Sequence, residues 1–376
     1  MRIRFRTAGG ILCLLVSPFL TGTDAGQKGE PSATPPRVGI FGTQTRKLTS
    51  SVDGQEYELY VALPFGYSGS NKTFPVLYLL DGQFDFPLVA GLLSGQWQDG
   101  FVPPLIVVGI TWAGERPNYS MLRARDLTPT KSSRFPSGNA PNFLTFIKKD
   151  AIPFIESNYR TTKNERTLMG SSLGGLFTLY ALFHETSLFN RYVLTSPSLG
   201  WDNGILLTYE KEFAEKNKQL PVRLFMGVGE FERPRIADFQ SFVARLKARN
   251  YQGLELETMI IQNAGHASNK AEGFQKGLQA VFGPPRLTIA SAVLDQYVGK
   301  YQSAGASIDI TREGNSLFLT TPDGSKFKLD AFSETDFNVR GVYFVAHFRK
   351  DASGAVSLEA EMGDGPHTFE KVKSKS

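Results

Sequence analysis

The stretch Arg166-Thr-Leu-Met-Gly-Ser-Ser-Leu-Gly-Gly-Leu-Phe-Thr-Leu-Tyr180 joins two apolar runs through a glycine-rich turn. Within it, Gly170 and Gly174 flank Ser172 in a G-x-S-x-G motif. A strand, a tight turn and a helix in this order expose the central serine on a strained turn, which requires small residues two positions away. The motif therefore predicts Ser172 as a nucleophile. The alternative is a bystander serine in a glycine-rich turn.

Apolar runs alternate with helical patterns on both sides of this motif. The predicted strands are Thr45–Ser51, Glu56–Leu63, Phe74–Leu80, Leu105–Ile110, Thr167–Met169, Tyr192–Thr195, Val222–Val228 and Leu254–Ile261. The predicted helices are Asn142–Tyr159, Leu173–Phe183, Pro234–Arg249 and Asn269–Val281. This alternation predicts an α/β fold with a mainly parallel sheet, and functional residues in such sheets follow the carboxyl ends of strands.

A nucleophilic serine needs a general base, and His266 is the histidine that fits this role. His184 lies about 18 Å from Ser172 along the same predicted helix, at roughly 1.5 Å per residue. His347 and His367 belong to a later β-rich segment, whereas His266 follows a predicted strand in a loop. The alternative for His266 is a surface or helix-cap histidine.

The base needs an orienting acid, which should follow the strand between the serine and the histidine. Glu232 is preferred because it lies three residues beyond Gly229, and Glu230 is the second candidate. Either residue could instead be a solvated glutamate at a helix start.

A tetrahedral oxyanion would need two N–H donors. The backbone N–H of Leu173 is one prediction. The N–H of Gln83 is the other, because Gly82 lets the backbone turn after its strand; in the alternative interpretation Asp81-Gly82 is only a turn. Together these residues predict acyl transfer through Ser172, without a cofactor and without a metal site.

The N-terminus predicts export. A basic start is followed by an apolar stretch from about Ala8 to Leu20 and by small residues near Ala25, as in a secretory signal peptide over residues 1–25. Cleavage there would leave no cysteine and no membrane span in the mature chain, which suits a periplasmic or secreted protein. It would also reduce the net charge from +5 to +3. The sequence has no block of lysine and arginine residues that would indicate nucleic acid as a partner.

Changes of composition divide the remaining chain. Residues 26–39 are predicted to be a linker, residues 40–283 the catalytic domain and residues 288–374 a small antiparallel β domain. The segment Thr111–Pro141 is long and rich in polar residues, so we expect it to overhang Ser172 and contribute to specificity. Arg123 and Arg125 within it are candidate substrate-binding residues, although each could form an ion pair instead, for example with Asp126.

Five motifs in order resemble the putative esterase family of α/β-hydrolases. They are Tyr78-Leu-Leu-Asp-Gly82, Arg123-Ala-Arg-Asp-Leu-Thr-Pro129, Gly170-Ser-Ser-Leu-Gly-Gly175, Ser196-Pro-Ser-Leu-Gly-Trp-Asp202 and Gly265-His266. The family includes siderophore esterases, S-formylglutathione hydrolases, feruloyl esterases and mycolyltransferases. The resemblance implies an α/β-hydrolase fold over about residues 40–283 and adds Gly82 and Trp201 as substrate-binding candidates. Many members have aspartate where the acid here would be glutamate.

The function expected from these residues is hydrolysis of a carboxylic ester on a small molecule or a glycan, with siderophore esterases as the subgroup of greatest resemblance. Two other functions stay open. An acyltransferase would use the same acyl-enzyme with a sugar hydroxyl as acceptor, and a binding protein would use the scaffold without catalysis.

Overall fold

The computed structural model describes residues 39–69, 71–284, 287–339, 341–362 and 365–372. The predicted signal peptide and the predicted linker, except for its last residue, lie outside these ranges. The described residues from 42 to 284 form one compact unit, and those from 39 to 41 and from 287 to 372 form a second.

The first unit is built on an eight-stranded sheet. Its strands are β1 (Thr43–Thr49), β2 (Glu56–Ala62), β3 (Phe74–Leu79), β4 (Ile106–Trp112), β5 (Thr161–Ser171), β6 (Arg191–Thr195), β7 (Arg223–Gly229) and β8 (Glu255–Ile261). They lie in the order β1-β2-β4-β3-β5-β6-β7-β8. The pairings from β4 to β8 are parallel, whereas β1 and β2 join antiparallel at one edge. The predicted α/β class and mainly parallel sheet are confirmed.

The central strands are continuous apolar runs because helices cover both faces of the sheet. Every residue of β4 is buried, and so are Leu168 to Ser171 of β5. The helices are α1 (Gly82–Gln98), α2 (Tyr119–Asp126), α3 (Ala140–Phe146), α4 (Ile152–Asn158), α5 (Leu173–His184), α6 (Ile205–Lys216), α7 (Arg233–Arg249) and α8 (Lys270–Phe282). A π-helical turn, Ile147–Ala151, joins α3 to α4, so the single helix predicted over Asn142–Tyr159 is interrupted.

Three helices were not predicted from the sequence: α1, α2 and α6. Helix α1 contains Pro87 and three glycines, all of which lower helix propensity. Packing compensates, because Phe86 and Val89 are buried and Gly109 of β4 leaves room for the Phe86 ring: a Cβ there would lie 2.8 Å from Phe86 Cδ2. The segment Thr111–Pro141 begins in β4 and contains α2.

The second unit is a closed barrel of eight antiparallel strands. Helix α9 (Ser291–Tyr297) precedes it and contributes Leu294 and Tyr297 to the barrel core. The strands are β9 (Gly299–Ser303), β10 (Ala306–Glu313), β11 (Ser316–Thr320), β12 (Lys326–Ala331), β13 (Asp336–Val339), β14 (Phe344–Lys350), β15 (Val356–Met362) and β16 (Gly365–Lys371). The small antiparallel β domain is confirmed, and because the barrel is closed, each of its eight strands is paired on both sides.

Across the residues described, no helix is both long enough and apolar enough to cross a membrane.

Candidate active site

Ser172 lies on the turn between β5 and α5, with backbone angles φ 61° and ψ −115° that L-residues rarely adopt. Hydrogen bonds hold this conformation: the Ser172 N–H donates to the carbonyl of Thr195, and the Ser172 carbonyl accepts from Ser198 N at 3.1 Å. The turn also needs Gly170. A Cβ on Gly170 would lie 2.6 Å from the carbonyl carbon of Gly174, so the predicted requirement for a small residue is confirmed two positions before Ser172.

The serine, the histidine and one glutamate form a continuous chain of contacts. His266 Nε2 lies 3.0 Å from Ser172 Oγ, and His266 Nδ1 lies 2.6 Å from Glu232 Oε2. The three side chains come from the ends of β5, β7 and β8, which meet at one edge of the sheet because these strands are parallel. The structure thus brings together the residues that the sequence predicts as nucleophile, base and acid.

Glu230 makes a different contact, although it lies only two residues from Glu232. Its Oε2 accepts a hydrogen bond from the backbone N–H of Asn263 at 2.9 Å. It therefore supports the turn before His266, whereas Glu232 contacts the imidazole itself.

Glu232 is buried and surrounded by donors. Its Oε1 accepts hydrogen bonds from Ser196 Oγ, Gly229 N and Asn269 Nδ2. Burial by itself would raise the pKa of the Glu232 carboxyl, but the hydrogen bonds from Ser196, His266 and Gly229 outweigh burial and hold this pKa below its ordinary value. Glu232 is therefore a stable anion next to the imidazole.

The two predicted oxyanion donors belong to helix N-termini that lie side by side. Leu173 is the first residue of α5 and Gln83 the second residue of α1, so neither N–H has an acceptor within its own helix. The turns that precede α5 and α1 are adjacent. Gly174 of α5 lies so close to Asp81 that a Cβ on Gly174 would be 3.4 Å from Asp81 Oδ2. Gly82 is also required, since a Cβ there would lie 2.8 Å from the carbonyl carbon of Gly109.

The Gln83 turn is held by polar side chains. Arg123 donates to both carboxylate oxygens of Asp81, at 2.9 and 2.7 Å, and the Asp81 side chain is only 2% exposed. Thr111 Oγ1 donates to Gln83 Oε1 at 2.9 Å. Arg123 is thus bound to Asp81, two residues before the predicted oxyanion donor Gln83. The ion-pair alternative for this arginine is confirmed.

Arg125 also forms an ion pair, with the buried carboxylate of Asp126. Trp201 lies in a short 3₁₀ turn, and its indole Nε1 donates to Thr130 Oγ1 at 2.9 Å, which links it to the chain after α2. That this region overhangs Ser172 stays a prediction.

Two contacts near the site involve residues that the sequence analysis did not select. Lys270 donates to both carboxylate oxygens of the buried Asp85, and Arg235 Nη1 lies 2.8 Å from His266 Nδ1. Arg235 is one turn after Glu232 in the sequence, so helical spacing could have indicated it. The Asp85–Lys270 pair spans 185 positions and has no local signal.

Within the described ranges, no group of three or more histidine, cysteine, aspartate or glutamate side chains could hold a metal ion.

Comparison with known proteins identifies the family of the chain. The family described as "Putative esterase" matches residues 50–270, which is more than half of the chain. The ferri-bacillibactin esterase BesA of Bacillus subtilis is 30% identical over 61% of this chain and 86% of its own length. The siderophore enterobactin esterase of Emericella nidulans is 31% identical over 44% of this chain and 61% of its own length.

Solved structures show the same fold. The BES protein of Bacillus cereus superposes with a TM-score of 0.61 at 27% identity, over 66% of this chain and 99% of that one. An IroE-like serine hydrolase from Shewanella oneidensis superposes with a TM-score of 0.58 at 29% identity, over 68% and 85% of the two chains. The expected α/β-hydrolase resemblance is confirmed.

Proposed function

Since this chain belongs to the putative esterase family, we propose that it is a serine carboxylic-ester hydrolase that works through an acyl-enzyme on Ser172. One observation carries the proposal: Ser172 Oγ, the His266 imidazole and the Glu232 carboxylate are joined by contacts of 3.0 and 2.6 Å. A nucleophile within hydrogen-bond reach of a base, which is itself oriented by an acid, is the arrangement that acyl transfer requires.

In the first half-reaction, His266 Nε2 takes the proton of Ser172 Oγ while that oxygen bonds to the ester carbonyl carbon. The oxyanion accepts hydrogen bonds from the N–H groups of Gln83 and Leu173. Glu232 stabilises the imidazolium, which then gives its proton to the leaving alcohol as the bond between carbonyl carbon and alcohol oxygen breaks. Water repeats the sequence on the acyl-enzyme and releases the acid.

Siderophore esters are the proposed substrate class. The support is the similarity to relatives named as esterases of ferri-bacillibactin and enterobactin. We also propose that the protein is exported to the periplasm or secreted, on the strength of the signal-peptide pattern in residues 1–25.

The test is hydrolysis of p-nitrophenyl acetate, butyrate and octanoate, with Ser172→Ala measured in parallel. Activity that disappears in Ser172→Ala, together with fluorophosphonate labelling of the wild-type serine, would support the mechanism. Equal activity in the variant would reject it. A ferric catecholate triester, followed by chromatography of its fragments, tests the substrate class separately. An added alcohol that appears in the product would favour the acyltransferase alternative.

A further inference from the structure

Asn269 contacts both partners of the proposed acid–base pair. Its amide Nδ2 lies 3.1 Å from Glu232 Oε1 and 2.7 Å from Ser196 Oγ, which itself donates to Glu232 Oε1. The same nitrogen lies 2.8 Å from the carbonyl oxygen of Gly265 and 3.0 Å from that of His266. Asn269 therefore links the carboxylate to the main chain that carries the imidazole. Nothing in the proposed mechanism uses this residue.

The orientation of the Asn269 amide follows from its neighbours. Two backbone carbonyls and an ionised carboxylate can only accept hydrogen bonds, so the amide atom that faces them is the nitrogen. Its two hydrogens suffice for one bond to the Ser196 and Glu232 oxygens and one bond to the two carbonyls. The amide oxygen Oδ1 is buried and has no hydrogen-bond partner among the residues that the structure describes. The contacts of this side chain are therefore those of a donor.

A role as a helix cap does not explain these contacts. Asn269 is the N-cap residue of α8, where an asparagine oxygen ordinarily accepts a hydrogen bond from a backbone N–H of the first turn. Here the side chain makes no such bond. It is completely buried, and its nitrogen faces the Glu232 carboxylate instead. The side chain thus contributes a donor to the candidate active site and leaves the helix end without a side-chain cap.

The contacts with Oε1 determine which way the Glu232 carboxylate points. The last torsion of a glutamate side chain is broad, so the backbone alone does not set the orientation of its carboxylate. Oε1 accepts from Gly229 N at 3.0 Å, from Ser196 Oγ and from Asn269 Nδ2. With Oε1 held by three donors, Oε2 faces His266 Nδ1 at 2.6 Å. Because an ionised carboxylate accepts there, Nδ1 carries the proton and Nε2 is left as the basic nitrogen.

We propose that Asn269 and Ser196 are positioning residues that act as one unit on the proposed acid. They hold Oε1 of Glu232, so that Oε2 binds Nδ1–H of His266 and the imidazole presents its basic nitrogen to the serine. Asn269 acts directly and also through Ser196, because its nitrogen is 2.7 Å from Ser196 Oγ. Ser196 has a φ of 46°, which is unfavourable for a serine, at the place where its hydroxyl contacts the carboxylate. The inference rests on the proposed esterase function.

The first measurement is kcat and KM for p-nitrophenyl butyrate. We expect Asn269→Ala to lower kcat about a hundredfold with KM nearly unchanged, because a misdirected carboxylate impairs the proton transfer and not the binding of the ester. Ser196→Ala should lower kcat about tenfold, since Asn269 and Gly229 still hold Oε1. The double variant should be about as slow as Asn269→Ala, because the two residues act as one unit. Losses that multiply in the double variant, or a rise in KM alone, would overturn the inference.

The second measurement observes the contact between His266 and Glu232 without a substrate. A proton in a short hydrogen bond between an imidazole nitrogen and a carboxylate gives a far-downfield proton NMR resonance. We expect this resonance in the wild type, and we expect it to move upfield or disappear in Asn269→Ala. If Asn269→Ala does not fold, Ser196→Ala provides the same comparison, because it leaves the contacts of Asn269 with the two carbonyls intact.

Asn190→Ala is the matched control. Asn190 precedes β6 at the end of the strand opposite to Ser196, and its Oδ1 accepts a hydrogen bond from the backbone N–H of Arg166 at 3.2 Å. Its replacement should alter neither kcat nor the resonance. An unchanged kcat and resonance in Asn269→Ala, or the same losses in Asn190→Ala, would overturn the inference. Failure of the esterase proposal differs, because the wild type would then cleave no ester and Ser172 would not label, whereas the resonance would still report the positioning.

Discussion

Lys270 Nζ lies 2.8 and 3.0 Å from the two carboxylate oxygens of Asp85, and this ion pair links the helix after His266 to the helix that begins at the Gln83 turn. Asp85 is buried, with 5% of its side chain exposed, and Lys270 is 24% exposed. Burial raises the pKa of the Asp85 carboxyl, and Lys270 only partly offsets that effect. The pair therefore joins two parts of the candidate site at some cost in desolvation.

Removing one partner of this ion pair should destabilise the protein more than replacing both partners with apolar side chains. Lys270→Met leaves the Asp85 carboxylate buried without its partner, and we expect a loss of about 3–5 kcal/mol in the free energy of unfolding. The double variant Asp85→Leu/Lys270→Met should recover most of that loss. Urea unfolding of the two single variants and the double variant measures the coupling. If the losses in free energy of unfolding of the two single variants add up to the loss of the double variant, the two groups do not interact.

Strain at Ser172 predicts an unusual order of stability. Ser172→Gly and Ser172→Ala should both be inactive. Glycine relieves the backbone strain at φ 61°, which stabilises the folded protein by about 1–3 kcal/mol. Its extra freedom in the unfolded chain offsets roughly 0.5–1 kcal/mol of that gain. The glycine variant should therefore be about 1 kcal/mol more stable than the alanine variant. Thermal unfolding of both compares them directly, and an alanine variant of equal or greater stability would contradict the strain argument.

Arg123 should affect the chemical step more than substrate binding. Arg123→Lys keeps the charge but loses the paired hydrogen bonds to Asp81, which loosens the turn that presents the Gln83 N–H. We expect kcat for p-nitrophenyl butyrate to fall about tenfold with KM nearly unchanged. Arg116→Lys, at an exposed position of the same connection, is the control. A rise in KM alone would assign Arg123 to substrate binding instead.

The pH dependence of stability should include a contribution from Glu232. Its pKa in the folded protein is below the value of 4.5 for an ordinary glutamate, so folding favours the ionised form. This stabilisation is complete above the unfolded pKa and disappears as the pH falls through the folded pKa. Glu232→Gln should therefore lower the free energy of unfolding by about 2 kcal/mol at pH 7, and the difference should shrink at pH 3. A difference independent of pH would contradict this.

Local sequence was sufficient for the features whose physical cause is local. The strained turn at Ser172 needs glycines at fixed distances, and a continuous apolar run such as Phe74–Leu80 has few alternatives to a buried strand. Helix α1 was missed for the complementary reason. Its propensity is poor, and the burial of Phe86 and Val89 against the sheet stabilises it only after the fold has formed.

Chain order determined which elements would meet at the site, but not which atoms. Because β5, β7 and β8 are parallel, the sequence alone could place Ser172, His266 and two glutamates at one edge of the sheet. It preferred Glu232 and kept Glu230 as the second candidate, since side-chain direction in a turn depends on the surrounding hydrogen bonds. Only the tertiary structure directed Glu232 to the imidazole, placed Arg235 beside His266 Nδ1 and joined Asp85 to Lys270, because these contacts depend on distances between elements far apart in the chain.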